Sequence, residues 1–381
     1  MFANIYRNKR VFITGHTGFK GSWLTEWLLM LGAEVTGFSI RVNDAPDHFT
    51  ALGLEQRMKH VIGDVRDAQA LEQAMLAARP DFVFHLAAQS LVRLSYRQPV
   101  NTMSTNIMGT IHLLDALRRL DRQTACVIVT SDKCYENREV LHGYHEDDAL
   151  GGHDPYSASK GAAEIVAHAY RRSFFSASDS MVGLATARAG NVIGGGDWSE
   201  DRLVPDCVRC LMNDEVISVR NPLVTRPWQH VLEPLSGYLW LGTLLTGKIK
   251  LPRVPTAQAV SGAFNFGPWP EANRSVQELV TEILKHWPGQ WSDASEANAV
   301  HEAGLLSLAI DKAFHVMQWA PVWDFAGSVE TTAAWYYNVA KNQRNALEQT
   351  HADINAYMSD AERAGVAWSR QISSLTDGVF I

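Results

Sequence analysis

Through its first half this chain alternates short apolar runs with helical periods, and that alternation leaves few folds open. The apolar runs are residues 10–14, 34–40, 60–63, 81–86, 125–130 and 182–187. Helical spacing fills the gaps. Trp23, Leu24, Trp27, Leu28 and Leu31 recur through 20–31, and similar patterns cover 67–78, 106–119 and 157–174. Strands joined one after another by helices run parallel, with right-handed crossovers. Runs that are apolar throughout, rather than at alternate positions, must be covered on both faces. The sequence therefore predicts an α/β chain built on a doubly wound parallel sheet.

The second half reads differently. Ten of the twelve tryptophans lie at or after Trp198, and prolines interrupt short segments around residues 220–228, 251–255 and 266–270. One helix start is clear: Ser275-Val-Gln-Glu278 is a capping box. The expected division is a first domain over 1–190 and a smaller, less regular C-terminal substrate lobe over 191–381, with parts of 228–250 returning to the sheet. Composition narrows the function. The 381 residues carry 34 Lys+Arg against 41 Asp+Glu, a net charge of −7, so no basic face for nucleic acid is expected. No apolar stretch reaches a membrane span, and the N-terminus shows no leader, so the default compartment is the cytosol. Four cysteines do not make a disulfide scaffold. Cys207 and Cys210 read as small buried residues of an amphipathic helix. His142, His145 and His153 have no acidic or thiol partner at convincing spacing, so no metal is expected.

Gly15-His-Thr-Gly18-Phe-Lys-Gly21 follows the first strand and opens the first helix. In that context the glycines make a tight turn, a close approach for a pyrophosphate, and close packing of helix on strand. The helix N-terminus offers N–H groups and positive potential to phosphates. This is a Rossmann-type dinucleotide site for NAD, with Thr17, Phe19 and Lys20 in the loop. The second strand ends in Ser39-Ile-Arg41 where an acid for the ribose hydroxyl is usual, so Arg41 leaves NADP possible. Asp64 and Val65 follow the third strand beside the expected adenine. Leu86, Ala87, Ala88 and Gln89 follow the fourth, small enough to pass close to the cofactor.

Tyr156 and Lys160 form Y-x-x-x-K, which places both on one helix face. A nearby ammonium favours the phenolate of a tyrosine whose ordinary pKa is near 10, so Tyr156 can act as a base on a hydroxyl. At the end of the fifth strand stand Ser131, Asp132 and Lys133. Strand carboxyl ends are where ligands bind in such sheets. An acid and an amine beside Ser131 are more than a simple alcohol dehydrogenase needs.

These stretches, with Arg188-Ala-Gly-Asn-Val-Ile-Gly-Gly-Gly-Asp-Trp198 and Arg226-Pro-Trp-Gln-His230, resemble the extended short-chain dehydrogenase/reductases. Within them the chain resembles the nucleotide-sugar 4,6-dehydratases, over most of residues 8–340. Ser-Asp-Lys and the Gly-Gly-Gly-Asp-Trp and Arg-Pro-Trp-Gln-His stretches resemble the branch acting on CDP-glucose. The resemblance implies C4 oxidation by NAD⁺ with Tyr156 taking the proton, loss of water across C5 and C6, and hydride return to C6. Asp132 would be the acid. The base position holds Lys133, which as an ammonium takes no proton; Glu136 is a nearby alternative, and an ion pair of Lys133 with Asp132 a structural one. Gln89, Asn191, Arg202 and Arg226 match sugar-nucleotide positions, and the choice of cytosine rests on resemblance alone. Family members pair as dimers or tetramers, here through the helices from Asn106 and Ser157.

Overall fold

The computed structural model describes residues 1–40, 47–176, 180–295 and 305–370. Seven strands form one parallel sheet: β1 (Arg10–Thr14), β2 (Glu34–Ser39), β3 (Lys59–Ile62), β4 (Phe82–His85), β5 (Thr124–Val129), β6 (Val182–Ala189) and β7 (Ala263–Phe266), in the order β7-β6-β5-β4-β1-β2-β3. The order reverses between β1 and β4, so the sheet has a topological switch point there. Six of these strands stand where the apolar runs predict them. The seventh comes from the second half and pairs with β6, Ala263 opposite Thr186 and Phe266 opposite Ala189.

The longer helices are α1 (Phe19–Met30), α2 (Ala68–Ala78), α3 (Gly109–Leu117) and α4 (Pro155–Phe174), then α5 (Leu203–Met212), α6 (Leu232–Leu245), α7 (Val276–His286), α8 (Phe325–Ala340) and α9 (Ala346–Ala364). Register explains why the strands are apolar throughout. Ile13, Phe84, Val127 and Ala185 lie side by side across β1, β4, β5 and β6. They face a core shared with Trp23 and Trp27 of α1 and Leu235 and Leu239 of α6. The neighbouring row, Phe12, Val83, Cys126 and Leu184, faces the opposite core with Leu71 of α2, Leu113 of α3 and Ala167 of α4. Each face is thus covered by helices.

Local chemistry sets the helix ends. Asp154 accepts from Ser157 N–H and Pro155 takes the first helical position, so α4 starts two residues before the expected one. The expected helix from Asn106 is continuous with a π-turn at Ser104–Met108 ahead of α3. Ser275 and Glu278 form the expected capping box on α7. α6 is buried along its whole length. Among the described residues no helix is long and apolar enough to cross a membrane.

Candidate active site

The carboxyl ends of β1, β4, β5 and β6 converge on one crevice. At β1 the chain turns at Gly15, whose φ is +74°; a Cβ there would lie 2.7 Å from Ala87 N. Gly21 packs back on the turn so closely that a Cβ would sit 2.1 Å from Gly15 O. Gly18 differs: a Cβ would meet nothing nearer than 3.4 Å. It caps α1 without a side-chain bond, so the first-turn N–H groups face outward. Two glycines close the loop and one keeps it open, which fits a diphosphate lying on the helix N-terminus.

The flanks are built to hold that shape. Thr14 Oγ1 is 2.6 Å from His85 Nδ1, joining the ends of β1 and β4. Burial, helped by the charge of Lys160, pushes His85 down to about 3, so the ring is neutral. Thr17 bonds Ser39 at 2.8 Å. Asp64 is ion-paired with Arg66, and bonds from that guanidinium hold its carboxyl below the usual range; Val65 is buried beside it. Leu86, Ala87 and Ala88 are half-buried. Gln89 spends its side chain on its own loop, donating to Thr102 Oγ1 at 2.8 Å and accepting from Leu91 N–H at 2.6 Å. Arg41 lies outside the described residues.

The reactive groups meet at the end of β5. Ser131 Oγ donates to Asp132 Oδ1 at 2.9 Å and accepts from Lys133 N–H at 3.2 Å. Tyr156 comes from the first turn of α4. Burial pushes its hydroxyl up to about 12, against a hydrogen bond to Ser131 and the charge of Arg202, which pull it down. Lys160 is one turn on, its Nζ 3.4 Å from Val129 O. Burial lowers it to about 8. Asp132 is buried, its Oδ2 against Gly190, where a Cβ would approach to 2.8 Å. Lys133 is half-buried and makes no ion pair with Asp132. Glu136 is exposed, its carboxylate against Gly151. Asn191 follows β6, half-buried. Arg202 Nη1 is 3.3 Å from Asp197 Oδ2. Arg226 lies on a short strand, Thr225–Pro227, its Nη1 2.8 Å from Thr225 O.

Lys20 of the glycine loop and two residues without a sequence signal, Tyr238 and Asn106, join this cluster. Lys20 stands among Arg202, Asp132 and Lys160, and burial followed by the charge of Arg202 lowers it to about 7. Tyr238 of α6 places its ring 6.0 Å from Lys20 Nζ, and its buried hydroxyl has no partner. Asn106 accepts from Gln89 N–H and donates to Ser159 Oγ, both at 2.8 Å, so the π-turn ties the β4 loop to α4. The glycine loop marks Lys20 in the sequence; Asn106 reaches Ser159 and Tyr238 reaches Tyr156 only through folding.

Residues 12–233 match the family described as GDP-mannose 4,6 dehydratase. The CDP-glucose 4,6-dehydratase of Salmonella typhimurium is 43% identical over 366 residues, covering 94% of this chain and 99% of that one. The chain belongs to the GDP-mannose 4,6 dehydratase family. A more distant member, the dTDP-glucose 4,6-dehydratase of Streptomyces griseus, is 28% identical and covers 86% of this chain and 94% of its own. The fold is shared with the dTDP-glucose 4,6-dehydratase of Streptomyces venezuelae, solved with NAD and TYD bound, at a TM-score of 0.70 and 23% identity, covering 86% of this chain and 97% of that one. These curated homologues are 4,6-dehydratases, and the enzyme class is hydro-lyase.

Proposed function

We propose that this chain dehydrates CDP-glucose to the CDP-linked 4-keto-6-deoxy sugar with NAD as its cofactor. One observation carries the reading. The Ser131–Asp132–Lys133 turn, Tyr156 and Lys160 share one crevice with the glycine loop, in a chain 43% identical over 94% of its length to a CDP-glucose 4,6-dehydratase. Gly15, Thr17, Gly18, Phe19, Lys20 and Gly21 would hold the dinucleotide diphosphate, with Asp64 and Val65 near its adenine and Leu86, Ala87, Ala88 and Gln89 beneath it. NAD supplies a reversible hydride acceptor; NADP use through Arg41 belongs to the same proposal.

In this reading Tyr156 takes the proton of the sugar's C4 hydroxyl, helped by Ser131 and the Lys160 ammonium. The 4-ketone acidifies the C5 hydrogen. Asp132 then protonates the departing C6 hydroxyl. Lys133, which makes no ion pair with Asp132, takes the C5 proton in its neutral amine form, with Glu136 the alternative. Arg202 and Arg226 offer bidentate donors to the substrate diphosphate, beside Gln89 and Asn191. The dinucleotide is held by residues of 1–190 and the sugar nucleotide mainly by residues after 191. Exposed Val100, Met108 and Ile165, on the contacting segments 99–108 and α4, support pairing of two copies through these helices as a dimer or tetramer. Four free thiols suit the cytosol.

The test uses hexoses deuterated at C4, linked separately to CDP, UDP, dTDP and GDP, each incubated with NAD⁺ and the protein. The expected result is loss of one water from the CDP sugar, with deuterium recovered at C6. Retained mass with inversion at C4 would make the enzyme an epimerase and overturn the proposal.

A further inference from the structure

The loop after β6 carries Gly194, Gly195, Gly196 and Asp197, and its backbone is pressed flush against two rings. A Cβ at Gly195 would lie 1.9 Å from Trp335 Cδ2 of α8. One at Gly196, whose φ is +77°, would lie 2.4 Å from His48 Cδ2. Thr350 of α9 stands behind both rings: Trp335 Nε1 donates to its Oγ1 at 3.0 Å, and His48 Nε2 is 3.1 Å from the same oxygen. Trp23 of α1 donates to Gly195 O at 2.9 Å. Beside Trp335, the buried Tyr336 donates its hydroxyl to Asp197 O at 2.6 Å. The helices α8 and α9 lie beyond residues 12–233, which match the family, yet they fix the path of this loop.

That path decides where Asp197 points. Its side chain is 5% exposed, and its Oδ1 accepts from Ser199 N–H at 3.1 Å. Its Oδ2 accepts from Arg202 Nη1 at 3.3 Å. Arg202 precedes α5 as its cap and makes no side-chain bond to the helix, so the carboxylate is what orders its long side chain. About a third of that side chain is exposed, which leaves donors for a ligand. Its charge reaches the crevice. After burial it does most to lower Lys20, and it opposes the burial that raises Tyr156. A buried carboxylate next to an anion site asks for a reason, because its own charge repels the ligand. Ordering is one: an arginine already held in place loses less freedom when it binds.

We propose that Asp197, held by Tyr336 of α8, is a positioning residue that aims Arg202 at the diphosphate of the nucleotide sugar. The inference rests on Arg202 binding that diphosphate, as proposed above. It is tested by calorimetry with NAD⁺ present. The probe is whichever of CDP, UDP, dTDP and GDP binds the wild type most tightly, so a wrong base does not blur the answer. Asp197→Asn keeps an acceptor for Ser199 N–H and loses the one for Arg202. Tyr336→Phe frees Asp197 O, changes no charge, and carries the test if Asp197→Asn does not fold. Each is expected to weaken the probe by about 3- to 10-fold, and to raise KM for the nucleotide sugar while kcat holds. Arg202→Ala should weaken it by about tenfold or more. Combined with Arg202→Ala, neither variant should weaken it further, since the side chain they place is gone. Unchanged or tighter binding in Asp197→Asn, the result that charge alone would give, overturns the inference. So does equal weakening with and without Arg202. If Arg202→Ala itself binds normally, the diphosphate role of Arg202 falls and takes the inference with it, which tells that failure apart from a failure of positioning.

Discussion

In the proposed reaction Tyr156 loses its proton although burial pushes its hydroxyl up to about 12. Of the groups that oppose burial, Ser131 is the nearest in chemistry: a hydroxyl that hydrogen-bonds the phenolate better than the phenol. Lys133 N–H fixes its oxygen, and its single proton, given to Asp132 Oδ1 here, has to turn to the phenolate when Tyr156 ionises. A hydrogen bond to a charged group contributes roughly 1.5–3 kcal/mol, which is about one to two pH units. Ser131→Ala should therefore raise the Tyr156 pKa, and the acid limb of kcat/KM should move to higher pH by that amount. The sign follows from the charge. The phenolate is the active form, and removing its donor makes the phenolate rarer at any given pH. A pH–rate profile with the limb unmoved, or moved to lower pH, would sink this account.

At the scale of elements, the glycine loop separates packing from binding. Gly21→Ala forces a Cβ to 2.1 Å from Gly15 O, so either the turn or α1 has to shift, at a cost of about 1–3 kcal/mol or more. Gly18→Ala meets only ordinary contacts and should leave thermal stability within about 0.5 kcal/mol of wild type. It should weaken the dinucleotide, because the methyl would stand over the diphosphate path. Melting curves with and without NAD⁺ separate the two: Gly21→Ala lowers both, and Gly18→Ala loses only the increment from the ligand. The loop and the six strands were legible because their signals are local. Glycines at fixed spacing after an apolar run, or four consecutive buried residues, can be read without knowing what they touch. The Tyr156–Lys160 pairing was legible for the same reason, since one helical turn joins the two residues. β7 was not, being four residues among prolines more than seventy residues beyond β6. α6 hid differently: buried on every side, it shows no period of apolar and polar faces. Tyr238 became a neighbour of Tyr156 only through that hidden packing.

For the whole molecule, the two halves share one core, and buried acids tie it together. Trp368 near the C-terminus stacks on Phe2 at 5.0 Å and on Tyr357 at 5.7 Å. Glu26 of α1, with no exposed surface, is paired to Arg57 and to His351 of α9. Glu233 of α6 accepts from Val322 N–H, from Trp323 N–H at 2.7 Å and from Tyr357 OH at 2.7 Å. Burial raises Glu233 from 4.5 to about 7, against those three bonds. Burial likewise raises Asp353 of α9 from 3.8 to about 8, against a bond from Gln349. Both acids are thus more readily protonated folded than unfolded, so folding takes up protons between these values. Their stabilising contribution is full below about pH 4 and is lost as pH rises through about 7 for Glu233 and about 8 for Asp353. The protein should therefore lose stability from this source between pH 5 and 8.5. Glu233→Gln keeps an acceptor for the two N–H groups and a donor for Tyr357 but cannot titrate. Urea unfolding of this variant should show a shallower decline over that range, by a few kcal/mol at most, with the remaining slope belonging to Asp353. An equal decline in variant and wild type would mean that Glu233 stays ionised in the folded core, held there by the bonds from Val322, Trp323 and Tyr357.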